Sequence, residues 1–234
     1  MSISLQVVSI TTYNHGGITL HTYIREPFNA LSHLAGAVLS VAALIAMIVK
    51  ASITDAPTLH LVAVTIFGVS MILLYSASAT YHMVLAKDRV ISFLRRLDHS
   101  MIYLLIAGSY APFCLIALNG STGFALFTVV TGIAIAGILF KMVWFNSPRW
   151  LSTGLYIGMG WIIVFLASPL AETLSSRGLW LLILGGLMYT IGGVIYGAKP
   201  TFLQSKYLGF HEIFHIFILL GSIFHFLCVY MYVL

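Results

Sequence analysis

Residues 209–233, GFHEIFHIFILLGSIFHFLCVYMYV, form an apolar run long enough to cross a bilayer, yet its first turns carry His211, Glu212 and His215. About 20 apolar residues suffice for a membrane helix. Histidines at positions i and i+4 share one helical face, and a helix entering lipid carries such groups at a cost that marks them as functional candidates.

The rest of the chain sets the environment. Of its 234 residues 60% are hydrophobic and 7% charged, and the mean hydropathy is +1.04. That composition excludes a water-soluble domain and describes an integral membrane protein. Seven apolar stretches, near 30–49, 58–84, 99–118, 122–144, 150–168, 178–197 and 209–233, each approach the required length. The expected fold is all-α, a seven-transmembrane-helix bundle over residues 25–234. Residues 1–24 have no apolar core and no basic start, so they read as a short N-terminal tail and not as a cleaved signal peptide. Cys114 and Cys228 both lie in apolar runs, which leaves no disulfide framework and no thiolate metal site. Gly154 with Gly158, and Gly193 with Gly197, are spaced for close helix approach.

Nine of the eleven cations fall on one side: Arg25, Lys87, Arg89, Arg95, Arg96, Lys141, Arg149, Lys199 and Lys206, against Lys50 and Arg177. The positive-inside bias places the N-terminus in the cytoplasm and the C-terminus outside. The net charge of +5 therefore speaks of orientation and lipid headgroups, not of nucleic acid.

On this topology His82 closes span 2, Asp98 opens span 3, and His211 and His215 open span 7, all at the cytoplasmic face. Three neutral imidazoles with one open position are the ligand set of a catalytic zinc site, and a nearby carboxylate such as Asp98 can hold or deprotonate the water that fills it. Ser78, one turn before His82, offers a hydroxyl to a substrate or to that water. Each group alone has a plain reading: interfacial histidines, or an N-cap aspartate. Their shared depth favours a metal, and imidazole with carboxylate suits zinc over copper(I) while leaving manganese and iron open. Glu212, turned about 100° from His211, reads as interfacial. Tyr110-Ala111-Pro112 and Ser168-Pro169 mark helix breaks of the kind that line cavities. His225 reads as a polar contact inside the bundle, and His15, His21 and His60 as tail or interface.

Five motifs in order, Glu26-Pro27-Phe28-Asn29-Ala30-Leu31-Ser32-His33, Ser78-Ala79-Thr80-Tyr81-His82, Asp98-His99-Ser100, Gly108-Ser109-Tyr110-Ala111-Pro112 and His211-Glu212-Ile213-Phe214-His215, resemble the hemolysin III family. More distantly the chain is similar to the progestin and adipoQ receptors, which include the adiponectin receptors and belong with the alkaline ceramidases among seven-helix proteins regarded as membrane hydrolases. The resemblance implies that His82, His211 and His215 bind Zn2+, that Asp98 reaches the metal through water with Ser78 beside it, and that Glu26, Asn29 and His33 support the ligands. It also implies a bacterial inner membrane location, membrane lipids as partners, and hydrolysis of a lipid amide or ester in membrane lipid homeostasis. A non-enzymatic sensor of membrane state with a structural zinc is the alternative. A transporter is less favoured, because the ionisable groups gather at one face and leave the midplane nearly bare.

Overall fold

The computed structural model describes residues 24–205 and 208–234. The tail residues His15 and His21, and Lys206 of the charge count, lie outside the described residues. The elements are α1 (Pro27–Ile53), α2 (Thr58–Met83), α3 (Asp88–Pro112), α4 (Gly120–Val143), α5 (Arg149–Trp161), α6 (Ala167–Thr173), α7 (Ser176–Ala198) and α8 (Phe210–Cys228). A π-helical turn, Phe113–Leu118, extends α3; a 3-10 turn, Ile162–Leu166, joins α5 to α6; a second π-helical turn, Val229–Val233, ends the chain. Together they make seven helices long and apolar enough to span a membrane. Among the described residues there is no strand, as an all-α seven-helix bundle requires.

The outward faces carry side chains such as Val38, Ile45, Val129, Leu139 and Val194, exposed as lipid-facing residues are, while Met47, Phe67, Met71, Tyr75 and Tyr103 fill the interior. The third span is 61% buried and the fifth only 11%, which makes α3 the central post of the bundle. Helix α1 packs on α2, α2 on α3, α3 on α4, α5 on α7, and α7 on α8, while α8 returns to α1. This last contact brings the start of span 7 beside the end of span 2.

Close packing is set at particular glycines. A Cβ on Gly137 would stand 2.3 Å from Tyr103 Cε1, and one on Gly108 2.1 Å from Ser70 Oγ. Gly193 and Gly197 do face α5: a Cβ on Gly193 would stand 3.3 Å from Ile157 Cδ1 and one on Gly197 3.5 Å from Thr153 Cγ2. Gly154 and Gly158 differ from the sequence expectation: a Cβ on either would meet nothing within 4 Å. Spacing alone cannot tell which face of a helix meets a neighbour.

The breaks fall close to the prolines. After Pro112 the third span widens into its π-helical turn. In span 5 the irregular turn precedes Ser168-Pro169, because proline is accepted in the first turn of α6 but its ring cannot sit over a continuous helix behind it. Tyr110 repairs this gap, its hydroxyl lying 2.8 Å from both the Met159 and Gly160 carbonyl oxygens and accepting from the Ile163 amide at 3.0 Å. In lipid such freed backbone groups must find a protein partner.

Span 3 corrects a boundary. The apolar run begins near 99, but α3 starts at Asp88, after Lys87. Backbone hydrogen bonding carries the helix beyond the hydrocarbon, through Arg89, Arg95 and Arg96. Asp98 therefore lies about 15 Å along the helix, neither opening nor capping it, and is 7% exposed.

Candidate metal centre

The site is built where three helix ends meet. His82 stands in the last turn of α2, and His211 and His215 in the first two turns of α8. One ligand nitrogen from each of the three lies within 4.8 Å of the others, a set that could hold a metal ion. The ring centroids are 5.1 Å apart for His82 and His211, 4.9 Å for His82 and His215, and 4.7 Å for His211 and His215. His82 and His215 are each 1% exposed.

The donor chemistry fits zinc. His82 Nδ1 lies 2.6 Å from Glu26 Oε2. An ionised carboxylate only accepts, so Nδ1 carries the proton and donates, which leaves the Nε2 lone pair for a ligand bond. That Nε2 lies 3.4 Å from Nε2 of His211. With Zn–N bonds of about 2.0–2.1 Å, two ligands of a tetrahedral ion stand roughly 3.3–3.4 Å apart. The separation of these two nitrogens matches one edge of such a tetrahedron, and the His215 nitrogen lies within 4.8 Å of both.

Around this core the entry to α1 acts as a latch. The Glu26 amide donates to the His82 carbonyl at 2.9 Å and the Arg25 amide to that of Met83 at 3.3 Å, while the Arg25 guanidinium lies over the Tyr81 ring at 4.3 Å. Burial alone would raise the Glu26 pKa, but the hydrogen bond from His82, with Arg25 and Asn29, brings it down to about 2. Asn29 Nδ2 donates to Glu26 Oε2 and to Glu212 Oε1, both at 3.2 Å. Glu212 is thus not a free interfacial residue: its other oxygen accepts from the Gly209 amide at 2.9 Å, capping α8 and tying it to α1. The sequence placed Glu26 and Asn29 in this surrounding layer but missed Glu212. The capping pattern of a glutamate three residues after Gly209 was the available signal. His33, 3% exposed, stacks on His215 with ring centroids 3.7 Å apart.

Asp98 and Ser78 are not among the three clustered ligands. Both line a cavity of about 220 Å³ that also meets His33, His211 and His215, far more than the ~10–15 Å³ that admits one water. The cavity continues between α3, α5, α7 and α8 along side chains such as Leu105, Ile106, Ile157 and Ile218 to Tyr189 and His225. His225 is buried, with Nε2 3.2 Å from the Leu182 carbonyl oxygen, the polar contact its position suggested. His99 does more than adjoin Asp98. It lines the cavity, lies 3.2 Å from the Tyr196 hydroxyl and stacks on Phe145.

Residues 21–226 match the family described as Haemolysin-III related. The protein belongs to the hemolysin III family. Among hemolysin III relatives, Hemolysin-3 of Bacillus cereus is 42% identical over 213 residues, covering 91% of this chain and 94% of its own. The Hemolysin-3 homolog of Bacillus subtilis (strain 168) is 39% identical over 213 residues, covering 91% and 96%. More distantly, Monocyte to macrophage differentiation factor of Homo sapiens is 24% identical over 174 residues, covering 71% and 68%. The His82, His211 and His215 cluster is thus the candidate metal centre of a hemolysin III membrane protein.

Proposed function

We propose that this protein is an integral membrane zinc protein that hydrolyses an amide or ester bond of a membrane lipid and so contributes to membrane lipid homeostasis. The observation that carries the reading is a cluster of three imidazoles, two of which, His211 and His215, line a largely apolar cavity that has Asp98 and Ser78 on its wall. Zinc held by His82, His211 and His215 would supply Lewis acidity that polarises a carbonyl oxygen and acidifies water. The protein's own groups do the rest. Glu26 fixes the His82 tautomer. Asp98 takes up and returns a proton at its carboxylate. The Ser78 hydroxyl orients a polar group of the substrate, and the apolar walls hold hydrocarbon and exclude bulk water.

The reading places the chain in a bacterial inner membrane with the metal centre at the cytoplasmic face. A reporter fused after Leu234 is then active only outside the cytoplasm; activity inside would overturn the orientation. The chemistry is tested by lipid mass spectrometry of membranes carrying either the natural protein or Asp98→Asn, with metal content measured on both. Cleavage products found only with the natural protein, at equal zinc, support hydrolysis. Absence of cleavage products with the zinc-loaded natural protein sinks it.

The second reading is a non-enzymatic sensor of membrane state on a structural zinc. It draws on His33, whose buried ring lies stacked against that of His215. A fourth imidazole that turned to the metal would close the coordination, as structural sites require.

A further inference from the structure

Five cations at the metal-centre end of the bundle form no ion pair, although Asp98 lies close enough to Arg95 to feel its charge. Among the described residues the ion pairs are those of Glu26 with Arg25 and with His82. Arg95 and Arg96 of α3, Lys141 at the end of α4, Arg149 at the start of α5 and Lys199 after α7 lie instead over aromatic rings. Arg95, Arg96 and Lys141 stand 5.0, 5.6 and 5.9 Å from the centre of Phe145. Arg149 is 5.2 Å from that of Tyr196, and Lys199 is 5.6 Å from that of Phe210. Phe145 stacks on His99 with centroids 5.6 Å apart, and the Tyr196 ring centre is 5.7 Å from that of the ligand candidate His211. His99, Tyr196 and His211 line the cavity. A layer of cations thus lies one aromatic ring away from the metal-centre end of the cavity.

Two members of this layer are not explained by membrane orientation, which exposed residues such as Lys87 and Arg89 serve equally well. Lys141 is 4% exposed, and its ammonium, with three donors to place, makes one hydrogen bond, to Ser147 Oγ at 3.0 Å. Nη1 of Arg149 is buried with no partner among the described residues. Buried donors of a cation are costly to leave open, and an acceptor of opposite charge relieves that cost. Phosphate suits these donors: it offers several oxygens at once, and guanidinium engages it through a two-pronged fork. Trp144 and Trp150, 52% and 71% exposed, flank the layer as residues of an interfacial belt do, which puts it at headgroup depth.

We infer that Arg95, Lys141 and Arg149 form a phosphate-binding crown that seats the headgroup of an anionic phospholipid at the metal-centre end of the cavity. The inference rests on the reading of that cavity as a lipid site and specifies the headgroup it takes; it does not depend on the metal or on turnover.

The test uses the full chain, reconstituted in vesicles of equal parts phosphatidylglycerol and phosphatidylcholine, with the lipid retained on purification counted by mass spectrometry. Phosphatidylglycerol should be enriched by roughly fivefold for each cation engaged, the factor equivalent to the ~1 kcal/mol of a Lys or Arg at an anionic surface. Arg95→Gln with Arg149→Gln should lower the ratio by roughly fivefold for each cation removed, leaving the preference that Lys141 alone supports, whereas Lys87→Gln with Arg89→Gln, which removes the same charge from the same end, should leave it unchanged. If the first pair fails to insert, Arg149→Lys, which keeps the charge and loses the fork, should still lower the ratio. No preference in the natural protein, or equal loss in both pairs, would overturn the crown. Thermal stabilisation by inorganic phosphate without any lipid preference would keep a phosphate site and overturn its lipid source. Zinc content, measured on every sample, should not follow the lipid ratio, so failure of the crown and failure of the metal centre read out separately.

Discussion

Helix α8 carries His211 and His215 at one end and His225 about 15 Å further on, and the three imidazoles meet different fates. The first two face His82, whose proton is fixed on the opposite side of its ring by Glu26. His225 faces backbone, the Leu182 carbonyl oxygen, and the α carbon of Gly185, where a Cβ would stand 2.1 Å from its ring. Burial does not separate them, since His215 and His225 are both interior. What separates them is what the neighbouring helix offers: convergent lone pairs in one case, a single acceptor in the other. A histidine within a membrane helix becomes a ligand candidate through its partners, not through its own sequence context.

The contrast is broken most severely at the ligands themselves. Alanine in place of His82, His211 or His215 should abolish stoichiometric zinc in elemental analysis of the purified protein, whereas His225→Ala should leave it intact. Zinc retained by a variant lacking all three would refute the centre.

Next in size is Asp98→Asn, which keeps the side chain's volume and removes its charge. Product formation should fall by about 10²–10⁴ with zinc and thermal midpoint unchanged on the same sample. Undiminished product formation by the zinc-loaded variant would remove Asp98 from the chemistry.

Glu26→Gln addresses what distinguishes His82 from His225. The amide no longer demands a proton on Nδ1, and zinc affinity in a chelator competition should drop by about 10–100-fold. An unchanged affinity would mean that the latch orients the chain and not the imidazole.

The mildest expected change lies at the other end of α8. Gly185→Ala forces a methyl group into the His225 ring and should destabilise the protein by about 1–3 kcal/mol, seen as a lower thermal midpoint, with zinc content unaffected. Loss of metal in this variant would join the two regions that the comparison keeps apart.

The number of spans and the convergence of His82, Asp98, His211 and His215 on one end were legible because hydropathy and cation placement act over whole segments and tolerate errors of a turn. The start of α3 was hidden for the same reason. Hydropathy detects hydrocarbon depth, whereas backbone hydrogen bonding continues the helix through Arg95 and Arg96 into polar surroundings. Glu212 and His99 were missed because their partners, Asn29 and Tyr196, lie 183 and 97 residues away in the chain, and no local pattern specifies such pairs. Gly154 and Gly158 show the opposite failure, a local pattern with no neighbour to meet it.

The two facing nitrogens of His82 and His211 come from positions 129 residues apart, one in the second span and the others in the last. During synthesis, then, no shorter chain can assemble the three-nitrogen set: every intermediate that has yet to insert α8 lacks two of its members. Metal loading would thus be the closing event of biogenesis, and a chain that stalls or misthreads a late span would remain metal-free however well its first helices have packed.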